Sequence, residues 1–219
     1  MVPDAVLFDL DGTLVDTLLD IAAAMNHVLA EFGCPIHPAK AYRGFVGHGV
    51  RELVTRALPA TEGQPIDAAA AAFLAYYDAH LVDHTRPFPG IPALLQALAG
   101  RGTRLAILSN KPDAQTQRIA TTLLHATPFE IVRGQREGVP AKPDPVAALE
   151  MAAALGLEPE RCTFVGDSPV DIETARNAGM CCIAVTWGYA DRDVLAVTWP
   201  RTLADTVAKL AEALALRWP

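Results

Sequence analysis

Short apolar runs alternate along the chain with longer segments whose apolar positions recur about every 3.6 residues. The short runs fall at residues 6–10, 104–109, 130–133, 163–166 and 182–186, and the first, led by Ala5-Val6-Leu7-Phe8, is apolar on both faces and ends in turn residues. They predict buried strands of a parallel sheet. Between and after them, residues 114–124, 146–155 and 171–178 carry a helical pattern. A last helix is expected over 203–216, with Leu203, Val207, Leu210 and Leu214 on one stripe. Strand and helix in alternation predict an α/β fold, a Rossmann-like parallel sheet flanked by helices.

Residues 17–84 break that alternation and contain no good strand. Leu18, Ile21, Ala22, Met25, Val28, Leu29 and Phe32 share one helical face, and Gly33 then stops the helix. Residues 67–81 are rich in alanine and bear the stripe Phe73, Leu74, Tyr77 and Leu81. The segment therefore predicts a small all-helical cap domain inserted after the first strand. Pro87, Pro89, Gly90 and Pro92 mark the return. The expected division is 1–16 and 85–219 for the α/β core and 17–84 for the cap. A cap over the end of the sheet would exclude water from a site there.

Composition narrows the partners. A formal net charge of −7 over 219 residues argues against nucleic acid, whose phosphates demand a basic face. No basic stretch followed by a long apolar one opens the chain, so neither a signal peptide nor a membrane span is expected, and a cytoplasmic location follows. Cys34, Cys162, Cys181 and Cys182 form no C-x-x-C pair and read as reduced thiols. The oligomeric state is left open.

The candidate chemistry falls at strand ends. Asp9 and Asp11 follow the first strand, where open α/β sheets bind ligands. Two carboxylates held so close need a cation or proton between them, which suits metal-assisted chemistry on an anionic substrate. A calcium loop of the EF-hand kind fails, because Leu14 stands where glycine is needed. Ser109 and Asn110 follow the second run; the hydroxyl could donate to a phosphate oxygen, although a Ser-Asn pair also begins helices. Lys142, before Pro143, reads either as a solvated lysine or as a point charge that neutralises phosphate. Asp167 and Asp171 follow the run 162–165; helix capping explains either alone, but not a second acidic strand end in one sheet. Magnesium is the metal such oxygen ligands favour. Asp16 is expected to cap the first cap helix and Asp20 to lie on its solvated face. In the cap, Gly47-His48-Gly49 opens a helix whose N–H groups suit an anion, with His48, Arg43 and Arg51 beside it. A tight turn carrying exposed basic residues accounts for the same pattern. The remaining histidines show no metal-ligand spacing.

Together the four segments resemble, in order and spacing, the motifs of the haloacid dehalogenase-like hydrolase superfamily. The carriers are Phe8-Asp9-Leu10-Asp11-Gly12-Thr13-Leu14-Val15-Asp16-Thr17, Ser109-Asn110-Lys111, Lys142-Pro143 and Gly166-Asp167-Ser168-Pro169-Val170-Asp171. The helical insertion, residues 43–50 and Trp187-Gly188-Tyr189 are similar to the phosphoglycolate phosphatase-like subgroup. The resemblance implies a phosphatase that passes through an aspartyl-phosphate on Asp9, with Asp11 as general acid and base. It implies that Ser109 binds the transferring phosphoryl group and Lys142 offsets its charge. It further implies Mg2+ held by Asp9, the backbone carbonyl of Asp11, Asp167 and Asp171. Thr13, Asn110, Arg43, His48 and Gly49 are the expected substrate contacts, and the substrate a small phosphorylated metabolite, 2-phosphoglycolate first. A β-phosphoglucomutase-type mutase and a non-catalytic binding protein on the same fold stand as alternatives. A dehalogenase is disfavoured by Asp11. A phosphonoacetaldehyde hydrolase is disfavoured by the context of Lys40, the only lysine in the cap region.

Overall fold

β1 (Ala5–Phe8) is fully buried and lies in the middle of a sheet, paired in parallel with β4 (Arg104–Pro112) on one side and β6 (Cys162–Gly166) on the other. The computed structural model describes residues 3–60, 63, 65–198 and 200–216. Three further strands, β5 (Phe129–Gln135), β7 (Cys181–Val185) and β8 (Thr202–Ala204), complete the six-stranded order β5-β4-β1-β6-β7-β8. All its pairings are parallel. β2 (Val15–Asp16) and β3 (Arg86–Pro87) pair antiparallel as a separate two-residue ribbon.

Alternation along β1 divides the interior in two. Val6 and Phe8 face a cluster that includes α4 (Ile91–Gly100), α5 (Asp113–Leu123) and α9 (Val207–Ala213) through Leu94, Ile119 and Leu210. Ala5 and Leu7 face α6 (Val146–Ala154), α7 (Pro169–Asn177) and α8 (Arg192–Val197) through Met151, Ile172 and Leu195. Helices on both faces explain why the central strand β1 is apolar throughout rather than alternating.

Between β2 and β3 the chain forms α1 (Leu18–Glu31), a 3-10 turn (Ala39–Gly44), α2 (Val50–Ala57) and α3 (Ile66–Ala79). Ile21, Met25, Val28 and Leu29 of α1 are buried with Phe73 and Tyr77 of α3. The first of the two clusters continues without a break from the sheet into these helices. The ribbon β2–β3 is thus the place where the chain leaves the sheet and comes back.

Two expectations fail. Leu203 is not helical: it lies in the edge strand β8, and the helix begins only at Val207. The Thr206 hydroxyl accepts the Lys209 N–H and so fixes that start. The stripe of leucines overran by one turn because an edge strand and a helix both bury every few residues. Asp20 is not solvated either. It is 1% exposed and accepts the N–H groups of His84 and Thr85, the Thr85 hydroxyl and the His84 ring. Burial lifts its carboxyl, but these donors, the Thr85 hydroxyl foremost, more than offset that and leave it below the ordinary aspartate value. Asp20 therefore ties α1 to the segment that returns to the sheet. Among the described residues no helix is long and apolar enough to cross a membrane.

Candidate active site

The register of the central strands sets the site. Phe8 stands level with Ile107 of β4 and Val165 of β6, so Asp9, Ser109 and Asp167 all emerge at the same carboxyl edge. That edge is where the neighbours of β1 run off in opposite directions, the usual crevice of open α/β sheets. The Asp9 N–H donates to the Val165 carbonyl at 2.9 Å, which fixes the turn out of β1. Leu10 then accepts the N–H groups of Thr13, Leu14 and Val15, folding residues 10–15 into a tight loop that carries Asp11 back over the sheet end.

Asp9, Asp167 and Asp171 converge. One carboxylate oxygen of each lies within 4.8 Å of the others, and all three are buried. Lys142, 5% exposed, donates to Asp9 Oδ1 at 2.8 Å, to Asp171 Oδ1 at 2.7 Å and to the Leu108 carbonyl at 3.1 Å. Burial raises the Asp9 carboxyl to about 7, with Lys142 pulling down and Asp171 pushing up. Burial likewise holds Asp167 well above its ordinary value, helped by Asp171 and Asp9. Burial alone would lower the Lys142 ammonium, but Asp171 and Asp9 more than offset it and it is raised.

Three carboxyl groups beside one ammonium cannot all ionise without an excess of buried negative charge, which is why burial and mutual repulsion hold Asp9 and Asp167 up. A divalent cation among their oxygens would relieve it. The space is kept open by small residues. Gly12 adopts φ +81°, and a Cβ on it or on Gly188 would run into the Asp167 carboxylate. The cluster fits a hard divalent ion held by Asp9 and Asp167, with Asp171 behind them. Asp171 has one oxygen on Lys142 and the other on the N–H and hydroxyl of Ser168, the capping box that starts α7.

The other expected residues are placed as follows. Asp11 sits at the cavity wall with Oδ1 accepting the Thr17 hydroxyl at 2.7 Å and Oδ2 paired with Lys111 at 3.1 Å. Its side chain is not one of the converging three. Ser109 is buried; its Oγ accepts the Lys111 N–H at 3.2 Å and keeps its own proton to donate. Asn110 is engaged throughout. Its amide donates to the Gly47 and Lys142 carbonyls and accepts the Lys142 N–H. Thr13, fully buried, donates to Asp167 Oδ1 at 3.1 Å and lies behind that carboxylate rather than on the cavity wall. Asp16 accepts the Leu18 N–H at 3.2 Å, at the first residue of α1.

The edge opens into a cavity of about 740 Å3 between the sheet and the helices 18–79. His48 and Gly49, at the start of α2, line it, as do Lys40, Phe73 and Tyr77. Arg43 lines it too, but its guanidinium is bound to the carbonyls of Gly188 and Tyr189. Arg51 pairs with Asp67 on the surface and is not a wall residue. Sequence reasoning gave no role to Lys111, Thr17 or Tyr77. Thr17 and Lys111 each bond Asp11 and Tyr77 bonds Lys111; Thr17 and Lys111 stand inside the first two motifs, whereas Tyr77 shows in sequence only as part of an apolar helical stripe.

Residues 6–185 match the family model of haloacid dehalogenase-like hydrolases. "Phosphoglycolate phosphatase 1" of Pseudomonas aeruginosa is 36% identical over 95% of this chain and 78% of its own. The phosphoglycolate phosphatase of Rhodospirillum rubrum is 35% identical over 99% of this chain and 93% of its own. A crystal structure of a candidate phosphoglycolate phosphatase from Lactobacillus delbrueckii subsp. bulgaricus superposes with a TM-score of 0.92 at 32% identity, covering 98% of this chain and 99% of that one.

Proposed function

The chain belongs to the haloacid dehalogenase-like hydrolases, in their phosphoglycolate phosphatase-like branch, and is a phosphoric monoester hydrolase; from that premise we propose a magnesium-dependent enzyme that hydrolyses a small phosphate monoester, 2-phosphoglycolate first, through an aspartyl-phosphate on Asp9. The observation that carries this reading is the convergence of Asp9, Asp167 and Asp171 around Lys142 at the floor of the cavity.

Asp9 is the nucleophile. Lys142 grips Oδ1, which leaves Oδ2 to attack phosphorus while the bond to the leaving oxygen breaks. Asp11 gives its proton to the departing alkoxide and later takes one from the water that releases phosphate from Asp9. Ser109 donates its hydroxyl proton to a phosphoryl oxygen, and Lys142 balances the charge. Asn110 positions Lys142 by bonding both its backbone groups. Mg2+ bound by Asp9, the Asp11 carbonyl, Asp167 and Asp171 would neutralise phosphoryl charge.

Residues 17–84 form a cap on a core made of 1–16 and 85–219, and the cap excludes water and selects substrate. His48 and Lys40, which line the cavity, suit a second anionic group such as a carboxylate. The chain works in the cytoplasm.

The test is a screen of phosphate monoesters with and without magnesium, ranked by kcat/KM, that includes 2-phosphoglycolate and a hexose 1-phosphate. Magnesium-dependent release of phosphate, fastest from 2-phosphoglycolate, is expected. Conversion of the hexose 1-phosphate to its 6-phosphate would establish the mutase instead, and no metal-dependent turnover of any ester would remove the reading.

A further inference from the structure

Lys111 takes no part in the steps above, yet it is held as firmly as Lys142. It is the penultimate residue of β4, next to Ser109 and Asn110, and its side chain is 4% exposed. Its ammonium donates to the Tyr77 hydroxyl at 3.0 Å, pairs with Asp11 Oδ2 at 3.1 Å and lies 4.7 Å over the Tyr77 ring. Burial would lower it, but Asp11 and Tyr77 more than offset that and it is raised. Tyr77, itself pushed up to about 12 by burial, remains a neutral phenol that accepts from the ammonium.

Three separate parts of the fold therefore meet on one carboxylate. Lys111 comes from the sheet and holds Oδ2; Thr17, just before α1, holds Oδ1 at 2.7 Å; Tyr77, from α3, holds Lys111. Each carboxylate oxygen accepts at two positions, so each keeps one free for a travelling proton. With both oxygens anchored, the direction in which Asp11 presents that proton is set. The anchor on Oδ2 is complete only while α3 lies against the sheet edge, because Tyr77 is the other partner of the ammonium.

We propose that Lys111 is a positioning residue for Asp11, and that Tyr77 makes this positioning conditional on the seating of α3 over the site. The proposal rests on Asp11 acting as the acid in the transfer to Asp9. Proton transfer then becomes competent only when the helices cover the reacting atoms, the moment at which water is excluded.

The experiment compares two leaving groups. An alkyl phosphate releases an alkoxide that needs a proton; p-nitrophenyl phosphate releases a phenolate that does not. For both, kcat/KM reports only the steps through transfer to Asp9. The alkyl substrate is the one wild type turns over fastest. Lys111→Met should lower its kcat/KM by about 10- to 100-fold, the cost of a misplaced group, with a much smaller loss on p-nitrophenyl phosphate. Tyr77→Phe, which keeps the ring and the packing, should move the ratio of the two substrates the same way by less, and it carries the test should Lys111→Met not fold. In an Asp11→Asn background Lys111→Met should add nothing further. Equal losses on both substrates, or losses that add in full to those of Asp11→Asn, would overturn the positioning role. A ratio unchanged by Asp11→Asn alone would instead overturn the assignment of Asp11 as the acid. A wild type that turns over neither ester would overturn the phosphatase reading itself.

Discussion

Arg43, from the 3-10 turn among the inserted helices, donates to the carbonyl oxygen of Gly188 at 2.6 Å and to that of Tyr189 at 3.3 Å. The same Tyr189 donates its N–H to Asp167 Oδ2 at 2.6 Å. One guanidinium thus braces the loop that braces a carboxylate of the cluster. Arg43→Ala should raise the magnesium concentration needed for half-maximal turnover and lower kcat/KM, by about 10-fold, typical of losing a group that orients a ligand. Arg43→Lys should recover little, because a point charge cannot bond two carbonyls as a planar fork does. A magnesium titration of turnover checks this; an unchanged half-saturation in Arg43→Ala would show that the loop is fixed without it.

Among the described residues Lys142 is the one ammonium at the three buried carboxylates. Lys142→Met removes it and leaves their repulsion unbalanced. The metal-free variant should be less stable than wild type by about 3–5 kcal/mol, the range for breaking a buried ion pair. Magnesium should raise its melting temperature by more than it raises that of wild type, and a chelator should reverse both gains. Thermal unfolding with magnesium and with chelator makes the comparison. Equal gains in the two proteins would show that Lys142 and the metal do not share the same carboxylates.

Asp20 joins α1 to His84 and Thr85 through a carboxylate held below its ordinary value. A lowered carboxyl stabilises the fold fully above the unfolded value, about 3.9, and loses that stabilisation as pH falls through the folded value. Asp20→Ala should cost about 3 kcal/mol at neutral pH, since it strands several buried donors. The gap between variant and wild type should narrow as the pH is taken below about 3.9. Urea unfolding at neutral and acid pH measures both; a gap that does not change with pH would assign the cost to packing alone.

The acidic strand ends were legible in the sequence because each depends on local facts: an apolar run, a turn and a carboxylate. β1 and β6 then bring them together by ordinary parallel pairing. The buried faces of α1 and α3 were legible for the same reason, since a helical stripe is a local pattern. What could not be read was which polar groups satisfy one another across the fold. Asp20 meets His84 and Thr85 only after α1, α2 and α3 have packed, and a lone aspartate on a helix gives no sign of that. Arg43 finds its carbonyls 145 and 146 residues away, and Asn110 finds Gly47 only once that loop lies over the sheet. Both look in sequence like groups free to bind a ligand. The overrun of the last helix into Leu203 had a local remedy, the capping threonine at Thr206.

The most direct measurement is rapid-quench mass spectrometry during turnover of the preferred phosphate ester with magnesium. One phosphoryl group should appear on the peptide that carries Asp9, rise within the first turnover and vanish when substrate is exhausted. Asp9→Asn should fold, bind substrate and show neither the adduct nor release of phosphate. A phosphoryl group on any other residue, or steady phosphate release by Asp9→Asn, would contradict the assignment of Asp9 as the nucleophile.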